Sequence, residues 1–502
     1  MPPALMCLNI EEAALYPSPP AAEMIENRTF DEITLGESAS SVRTLTQEDI
    51  ELFALVSGDV NPAHLDPAYA ETDLFHKIIV HGMWGGALIS AVLGTKLPGP
   101  GTIYLSQDLH FHEPVGIGDT ITATVTAREK NAEKKLIVFD CQCVNQNGQK
   151  VIIGTAQVQA PDEKVCRPRV ELPDVRLNRH QSFRSLLSRA TGQAPAVVAV
   201  AHPCDFVTIG AVAEMVTAKL IVPILVGPQA KIRAAATAAA IDISAFQIVD
   251  VSHSHAAAAR AVALVKSGEA ELLMKGSLHT DELMHEVVSP ETGLRSERRL
   301  SHVYIMDVPT YPRPLLITDA AVNIAPTLDE KRDIVQNAID LAHVMGVETP
   351  RVAVLGAVET VNPEMRSTLD AAALCKMADR GQITGGVVDG PLAFDNAVSP
   401  EAARQKGIVS SVAGQADILV VPDIEAGNML AKQLTFLAGA DAAGVVVGAK
   451  VPIILTSRAD SRRTRVASCA VAVLMAQARR VATTQTASAT QGVAGWRKLS
   501  SP

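Results

Sequence analysis

The stretch SGDVNPAHLDP, residues 57 to 67, places an acid and an imidazole on either side of an Asn-Pro break. Asp59 and His64 could accept and deliver protons, which is the pair that general acid-base chemistry needs. Pro62 prevents a helix from continuing through the segment, so both side chains are presented from a constrained loop. The alternative is that Asp59 and Asn61 cap a turn while His64 packs without a chemical role, because short motifs often arise by chance.

The segments around this stretch predict an α+β domain in which a sheet wraps a central helix. LTQEDIELFALVSGD has Thr46 followed by acidic and then periodic apolar residues, which predicts a capped helix ending near Gly58. IVHGMWGGALISAVLG predicts a long buried helix, because its small residues permit close packing. Four runs rich in β-branched residues predict an antiparallel sheet, with a hairpin at Asn147-Gly148.

SGDVNPAHLDPAYAETDLFHKIIVHGM, taken with YLSQDLHFHEPVGIGDTITATV, resembles the MaoC-type, or hydratase 2, enoyl-CoA hydratases, which have the hot-dog fold. The whole Asp-x-Asn-Pro-x-His-x-Asp motif is present, as is the following His-Gly pair. The resemblance implies that Asp59 activates water and that His64 handles the proton at the α-carbon. It also implies a Gly82 N–H on the thioester oxygen, with Ser90 and Asn61 supporting the site by hydrogen bonds.

Three other histidines in this region have less specific interpretations. His81 is interpreted as a structural residue that orders the start of the central helix. His110 and His112 share a strand face, but no third ligand accompanies them in sequence, so no metal site is predicted.

The second half of the chain predicts a different architecture. From about residue 195, apolar strands such as PAVVAVAHP and LIVPILVGP alternate with helices, which predicts a parallel sheet covered on both faces. Ligands of such sheets bind at the carboxyl ends of the strands. The distinctive segments at those ends are AHPCD, LLMKGSLHT, LLITDAAVNIAPT, VVDGPLAFDNAVS, VVPDIEAGNMLAKQL and LTSRADS.

These six segments, in this order, resemble the phosphate acetyl/butyryl transferases. The resemblance implies a cleft between two α/β subdomains, of the kind found in isocitrate and isopropylmalate dehydrogenases, in which CoA and an acyl phosphate exchange the acyl group. We expect residues 181–325 and 452–480 to form one subdomain and residues 326–451 to form the other.

Acyl transfer needs cations for the phosphate, an activated thiol and donors for the oxyanion. Ser457 and Arg458 match the family's Ser-Arg pair, which implies that the serine stabilises the thiolate or the intermediate and the arginine holds phosphate. The acetyltransferase branch has a base aspartate farther along, whereas TSRADS is nearer the butyryltransferase form. Asp460 is therefore the candidate that draws the proton from CoA; alternatively, bound CoA ionises without a dedicated base.

Other polar residues are candidates for substrate binding. Lys275 could pair with phosphate or with the pantetheine chain, or could simply form a turn. A second phosphate candidate, for which a solvated loop is the alternative, is the cluster of Arg295, Arg298 and Arg299. The ligand-shaping candidates, which could equally be turn formers, are Asp389, Asn396, Asp423, Glu425 and Asn428.

Composition excludes several other classes of function. The formal charge of -10 and the lack of a basic tract argue against nucleic acid as a partner. Seven cysteines without a C-x-x-C pair predict reduced thiols. We find no export signal, no apolar run of membrane-spanning length, and neither a P-loop nor a dinucleotide fingerprint. The sequence predicts a cytoplasmic protein that is neither a kinase nor a dehydrogenase, and whose true start could be Met24.

The sequence therefore predicts a multidomain, bifunctional acyl-CoA enzyme and a homo-oligomer. Its substrates would be enoyl-CoA, acyl-CoA, acyl phosphate and inorganic phosphate, with coenzyme A as a substrate and no permanent cofactor or metal. Two alternatives stay open: a non-catalytic acyl-CoA-binding hot-dog module, or an acyl-CoA or phosphate sensor in the C-terminal half. The expected divisions are a disordered extension at 1–28, the hot-dog domain at 29–162, a linker at 163–180, the transferase domain at 181–480 and a flexible tail at 481–502.

Overall fold

The computed structural model describes residues 23–173, 175, 177, 181–455 and 460–498, without the side chains of 181, 182 and 485–498. The chain divides into two compact units, Met1–Leu177 and Asn178–Pro502. Most of the expected N-terminal extension lies outside the described residues.

The first unit contains a five-stranded antiparallel sheet packed against one long helix. The sequence predicted the helix and four of the strands, but not β2. The elements are β1 (Met24–Glu26), a 3-10 turn (Phe30–Glu32), β2 (Ser38–Thr44), α1 (Gln47–Ser57), α2 (Pro62–Leu65), α3 (Pro67–Thr72), α4 (Gly82–Thr95), β3 (Ile103–Phe111), β4 (Thr120–Asn131), β5 (Leu136–Val144), β6 (Lys150–Gln159) and β7 (Cys166–Pro168). The large sheet has the order β2-β4-β5-β6-β3. Burial alternates along β4, so one face of the sheet packs on the apolar side of α4.

Two local features place the first motif. Thr46 caps α1 by accepting the Asp49 N–H, and Gly58 ends the helix in the left-handed conformation, with φ of 76°. A left-handed residue after a helix turns the chain away from the helix axis, so Asp59 starts a new direction. Part of the expected linker is ordered, because β7 pairs with β1.

The second unit is built on one eleven-stranded mixed sheet. Its elements are α5 (Gln181–Thr191), β8 (Ala196–Ala201), α6 (Phe206–Thr217), β9 (Ile221–Gly227), α7 (Gln229–Ala238), β10 (Gln247–Asp250), α8 (Ser254–Lys266), β11 (Leu272–Lys275), α9 (Thr280–Val288), β12 (Ser301–Asp307), β13 (Leu315–Thr318), α10 (Leu328–Val344), β14 (Arg351–Leu355), α11 (Arg366–Asp379), β15 (Val387–Leu392), α12 (Phe394–Val398), α13 (Pro400–Gln405), β16 (Ile418–Val420), α14 (Ile424–Phe436), β17 (Asp441–Val447), β18 (Ile453–Ile454) and α15 (Arg462–Lys498). The sheet order is β10-β9-β8-β11-β18-β17-β12-β13-β16-β14-β15.

Strand direction changes near the middle of this sheet. Strands β10, β9, β8, β11 and β18 are mutually parallel, whereas β17 is antiparallel to β18 and β12 is antiparallel to β17. Strands β13, β16, β14 and β15 are parallel to one another and antiparallel to β12. The carboxyl ends of the first five strands and of the last four therefore lie at opposite edges of the sheet. The expected subdomain boundary does not follow the pairing, because β12 and β13 pair with β17 and β16.

The last helix, α15, forms part of the core of the second unit. Its segment Arg462–Thr484 is long and apolar enough to cross a membrane by length and composition, which the sequence had not led us to expect. However, 61% of its apolar 18-residue window is buried. It packs against β17 and α5. The helix continues to Lys498, past residue 480, where we had expected a flexible tail to begin.

Candidate active sites

The first unit brings an acid and two imidazoles together. A carboxylate oxygen of Asp59 and one ring nitrogen each of His64 and His81 lie within 4.8 Å of one another. The two histidine rings are 3.9 Å apart and tilted by 39°. Both histidines line a cavity of about 260 Å³, and both are buried, whereas Asp59 is exposed. The motif therefore forms a cluster at an apolar cavity rather than an isolated turn.

Hydrogen bonds fix which ring nitrogens can exchange protons. His64 Nδ1 is 2.9 Å from the Ile79 carbonyl, and His81 Nε2 is 2.9 Å from the Asp59 carbonyl. A carbonyl only accepts, so each of these nitrogens carries a hydrogen. In a neutral ring this leaves a lone pair on His64 Nε2 and on His81 Nδ1. The His81 Nδ1 atom is buried, with no hydrogen-bond partner among the residues that the structure describes.

The backbone around Ile79, whose carbonyl orients His64, is itself paired with a neighbouring segment of the chain. The Val80 N–H donates to the Val115 carbonyl at 2.9 Å, and Ile79 forms an isolated bridge with Gly116. The carbonyl that orients His64 thus belongs to backbone that is itself paired. His81 does more than order the start of α4, because its ring also joins the Asp59 loop to His64.

Gly82 stands at the start of α4 and lines the same cavity. The first N–H groups of a helix have no partner within the helix and lie at the positive end of its dipole. A carbonyl oxygen placed there would be polarised. The position predicted for thioester binding is therefore compatible with that role.

The cavity walls are mainly apolar. Trp84, Phe111 and Ile152 line it, and a Cβ added to Gly85 would lie 2.3 Å from Ile152 Cδ1. Cys143 also lines it, but burial raises the pKa of this thiol to about 12. A protonated thiol is a poor nucleophile, so the cavity is suited to an acyl chain and the chemistry to Asp59 and His64.

Three other residues from the sequence analysis have different positions. Asn61 caps α2, with Oδ1 accepting the Ala63 N–H, and its own N–H donates to Asp59 Oδ1 at 3.2 Å. Ser90 is exposed on α4 and does not line the cavity, and its side chain has no hydrogen bond within the described part of the chain, so the structure does not bring it to the site. His110 forms an exposed ion pair with Asp108.

In the second unit, three parallel strands end side by side at one edge of the sheet. The register pairs Lys275 at the end of β11 with Ala201 at the end of β8, and Met274 with Ile454 of β18. Lys275 is buried, and its Nζ donates to the carbonyls of Gly276 and Leu278 at 3.1 and 3.3 Å. Those bonds order the loop after β11.

Asp460 follows β18, and Ser457 and Arg458 lie outside the described residues. The Asp460 carbonyl accepts from Arg465 Nε at 3.4 Å. Burial, and secondarily the Asp460 carboxylate, raise the pKa of Tyr304. The Asp460 carboxylate is thus close enough to Tyr304 of β12 to interact with it electrostatically.

Comparisons with known proteins match this division of the chain. The family model described as phosphate acetyl/butaryl transferase matches residues 254–473, and the MaoC like domain model matches residues 34–146. A phosphate acetyltransferase of Rhizobium meliloti is 65% identical over 300 residues, which cover 60% of this chain and 95% of that protein. The chain belongs to the phosphate acetyl/butyryltransferase family. It carries a MaoC-like domain ahead of the transferase domain.

Two solved structures correspond to the two parts. A branched-chain phosphotransacylase from Enterococcus faecalis V583 is 33% identical, with a TM-score of 0.51, over 56% of this chain and 99% of that one. The R-hydratase PhaJ1 from Pseudomonas aeruginosa is 42% identical, with a TM-score of 0.30, over 31% of this chain and 100% of that one. The two family models confirm the predicted fusion of these two families. The finer likeness to isocitrate dehydrogenases stays a prediction.

The arginine cluster of the transferase domain lies at the amino end of β12, away from the three strand ends. Arg298 pairs with Asp340, and Arg299 Nε donates to Asn323 Oδ1 at 2.7 Å. Arg295 is exposed and bridges Ala449 through its backbone. Arg298 and Arg299 already have partners on one edge of the sheet, which favours a structural role over phosphate binding.

The ligand-shaping candidates also have partners within the transferase domain. Asp389 lies inside β15 and accepts the Gly390 N–H at 2.8 Å, and Asn428 donates to the Ala320 carbonyl at 3.3 Å. Asp423 caps α14. Asn396 is fully buried, and its Oδ1 has no partner among the described residues. The structure does not gather these residues with Lys275, because they belong to strands whose carboxyl ends lie at the other edge.

Sequence reasoning missed one pair of residues at the carboxyl edge of β8 and β11. His202 Nδ1 lies 3.1 Å from Ser277 Oγ, across 75 residues of sequence. Both residues lie in segments noted as strand ends, AHPCD and LLMKGSLHT. The available signal was the polar residue directly after each strand, but only the strand order shows that the two strands are neighbours.

Proposed function

We propose that this chain has two acyl-CoA activities: hydration of 2-enoyl-CoA to 3-hydroxyacyl-CoA in the MaoC-like domain, and reversible acyl transfer between acyl phosphate and CoA in the transferase domain. Family membership supports the transferase activity. One observation carries the hydratase activity: His64 and Gly82, the first residue of α4, line one apolar cavity, and a carboxylate oxygen of Asp59 lies within 4.8 Å of a His64 ring nitrogen. Adding water to an activated double bond needs a base, a proton source and a donor for the enolate oxygen.

In the hydration step, Asp59 takes a proton from water as the water oxygen bonds to C3. Protonated His64 delivers its Nε2 proton to C2, because Nδ1 is held by the Ile79 carbonyl. The Gly82 N–H donates a hydrogen bond to the thioester oxygen and so stabilises the negative charge that develops there. The proton on Asp59 then returns to His64, which lies within 4.8 Å. The net result is the addition of water across the double bond, with Asp59 ionised and His64 protonated again.

In the transfer step, the CoA sulfur bonds to the acyl carbon and the bond from that carbon to the phosphate oxygen breaks. The thiol proton leaves with a base, and phosphate is released. Ser457 and Arg458 stay predicted contacts of the thiolate and the phosphate, and Asp460 stays a candidate base. The relatives do not fix the acyl group, so acetyl and butyryl phosphate are both proposed substrates.

A two-substrate assay on the same preparation tests both activities. Asp59→Asn should lower crotonyl-CoA hydration by about 10²- to 10⁴-fold, because the base is lost, and should leave acyl-CoA formation from acetyl or butyryl phosphate unchanged. Asp66→Asn is the matched control, since Asp66 lies in the same motif but caps α3. Unchanged catalysed hydration in Asp59→Asn would show that Asp59 is not the base, and an unmodified chain that binds crotonyl-CoA without hydrating it would indicate an acyl-CoA-binding module instead. No acyl-CoA from either acyl phosphate would indicate a sensor in the C-terminal half.

A further inference from the structure

His202 lies where a ligand-binding crevice is expected in the transferase domain. Strand β8 lies between β9, which follows it in sequence, and β11, to which the chain returns after β10. Such a reversal of strand order opens a crevice at the carboxyl ends of the strands. His202 directly follows β8, and Ser277 follows β11. The strand β18, which leads toward Ser457, is two strands from β8, or about 10 Å at the usual strand spacing.

The hydrogen bonds of Ser277 fix the proton on the His202 ring. Ser277 Oγ donates its one hydrogen to the His202 carbonyl at 2.8 Å. In that arrangement its oxygen accepts from the Cys204 N–H at 3.2 Å and is open to a hydrogen from His202 Nδ1 at 3.1 Å. The arrangement favours the neutral His202 tautomer with its hydrogen on Nδ1 and its lone pair on Nε2. Within the described ranges, no group hydrogen-bonds to Nε2, and the ring is only partly buried.

Burial, more than the surrounding charges, favours the neutral form of this imidazole. Burial and then the Lys231 cation lower the pKa of His202, and Glu282 and Asp205 oppose the change without reversing it. Burial raises the pKa of the adjacent Cys204 thiol to about 11, so this thiol stays protonated. A neutral imidazole with an accessible lone pair is ready to accept a proton near neutral pH.

We propose that His202, positioned by Ser277, is the general base of the transferase reaction. This inference rests on the proposed acyl-transfer function. His202 Nε2 takes the proton of the CoA thiol as the sulfur bonds to the acyl carbon, and the carbon–oxygen bond to phosphate then breaks. The proton on Nε2 passes to the departing phosphate, so no other reactant is needed. Asp460 is then not required as a base.

His202→Asn is the direct test, because His202 has φ of 56° and asparagine tolerates that left-handed conformation. The expected loss in kcat/KM at pH 7 is about 10²- to 10⁴-fold. Without a base the reaction depends on free thiolate, so log kcat/KM of the variant should rise with a slope of about one up to the thiol pKa, near 8.5 for a cysteine-like thiol. The unmodified chain should be flat over that range. A purely structural defect would lower the rate without adding this slope.

Three further variants complete the test. Asp460→Asn should keep the flat profile, and His285→Asn, on an exposed part of α9, should match the unmodified chain. Ser277→Ala keeps the imidazole but loses its positioning, so kcat should fall by less than in His202→Asn. If His202→Asn does not fold, the rate of Ser277→Ala and the pH profile of Asp460→Asn test the inference instead. A flat profile for His202→Asn, an unchanged Ser277→Ala rate, or a slope for Asp460→Asn would overturn the inference. An unmodified chain without any transfer would instead refute the function itself.

Discussion

Each unit contains a histidine whose Nδ1 atom is held by a hydrogen bond, but the partner of that bond differs between the units. His64 donates from Nδ1 to a backbone carbonyl, that of Ile79, whereas His202 donates from Nδ1 to a side chain, that of Ser277. In the first unit the acid partner is five residues away in sequence. In the second unit the partner follows a different strand. The first site depends on how one segment folds, and the second depends on how a sheet assembles.

The largest expected effect is a loss of hydration without any loss of acyl transfer. His64→Gln should lower crotonyl-CoA hydration by about 10²- to 10⁴-fold because the proton source is lost, with acyl transfer unchanged. Asp59 and His64 act as a unit, so the double variant should be about as slow as the slower single variant. Steady-state kinetics of the three variants measure this. Losses that multiply would mean that the two residues act independently.

A second prediction concerns the backbone that supports each histidine. A Cβ at Gly276 would lie 2.4 Å from the Ala201 carbonyl oxygen and 2.5 Å from that of His202. Gly276→Ala should displace the His202 loop, at a cost of about 1–3 kcal/mol in the free energy of unfolding, and should lower transfer but not hydration. Gly210→Ala, where no atom lies within 4 Å, is the matched control. Equal transfer rates in both variants would show that the loop absorbs the added carbon.

The third prediction uses His302, which is fully buried on β12 with Nδ1 unpartnered and its ring 4.4 Å from that of Tyr304. Burial lowers the pKa of His302 from 6.5 to about 4. Above pH 6.5 neither the folded nor the unfolded chain protonates it. Between pH 6.5 and about 4 only the unfolded chain binds this proton. The free energy of unfolding should therefore decrease as the pH is lowered through this range, by about 3 kcal/mol in total.

Urea inactivation of the transferase at pH 7 and pH 5 measures this loss. His302→Leu cannot ionise and should show a smaller difference between the two midpoints. The hydratase domain provides an internal comparison, because its activity can be followed in the same samples. An equal pH difference in the two chains would show that other groups dominate the acid sensitivity of the second unit.

Local sequence signals predicted more of the first unit than of the second. Thr46, Gly58 and the strand runs gave the helices and sheet of the first unit, because caps, turns and alternation are local signals. Asp59 and His64 were found for the same reason. His202 and Ser277 could not be paired from sequence, since nothing local says that β8 and β11 are neighbours. The sequence could not decide between a phosphate site and a solvated loop for the arginine cluster, because strand direction, which puts the cluster at the other edge, is not visible in composition.

The smallest expected effect tests that separation of edges. Arg298 forms a half-exposed pair with Asp340, and such pairs contribute at most about 1 kcal/mol. Arg298→Ala should therefore leave the KM for acetyl or butyryl phosphate within about twofold, because the cation is neither buried nor near the ends of β8, β11 and β18. Arg332→Ala, another part-exposed arginine with carboxylate partners, is the control. A tenfold rise in KM for Arg298→Ala alone would place phosphate at the amino end of β12, and the His202 crevice would then be too far away to serve as the site of transfer.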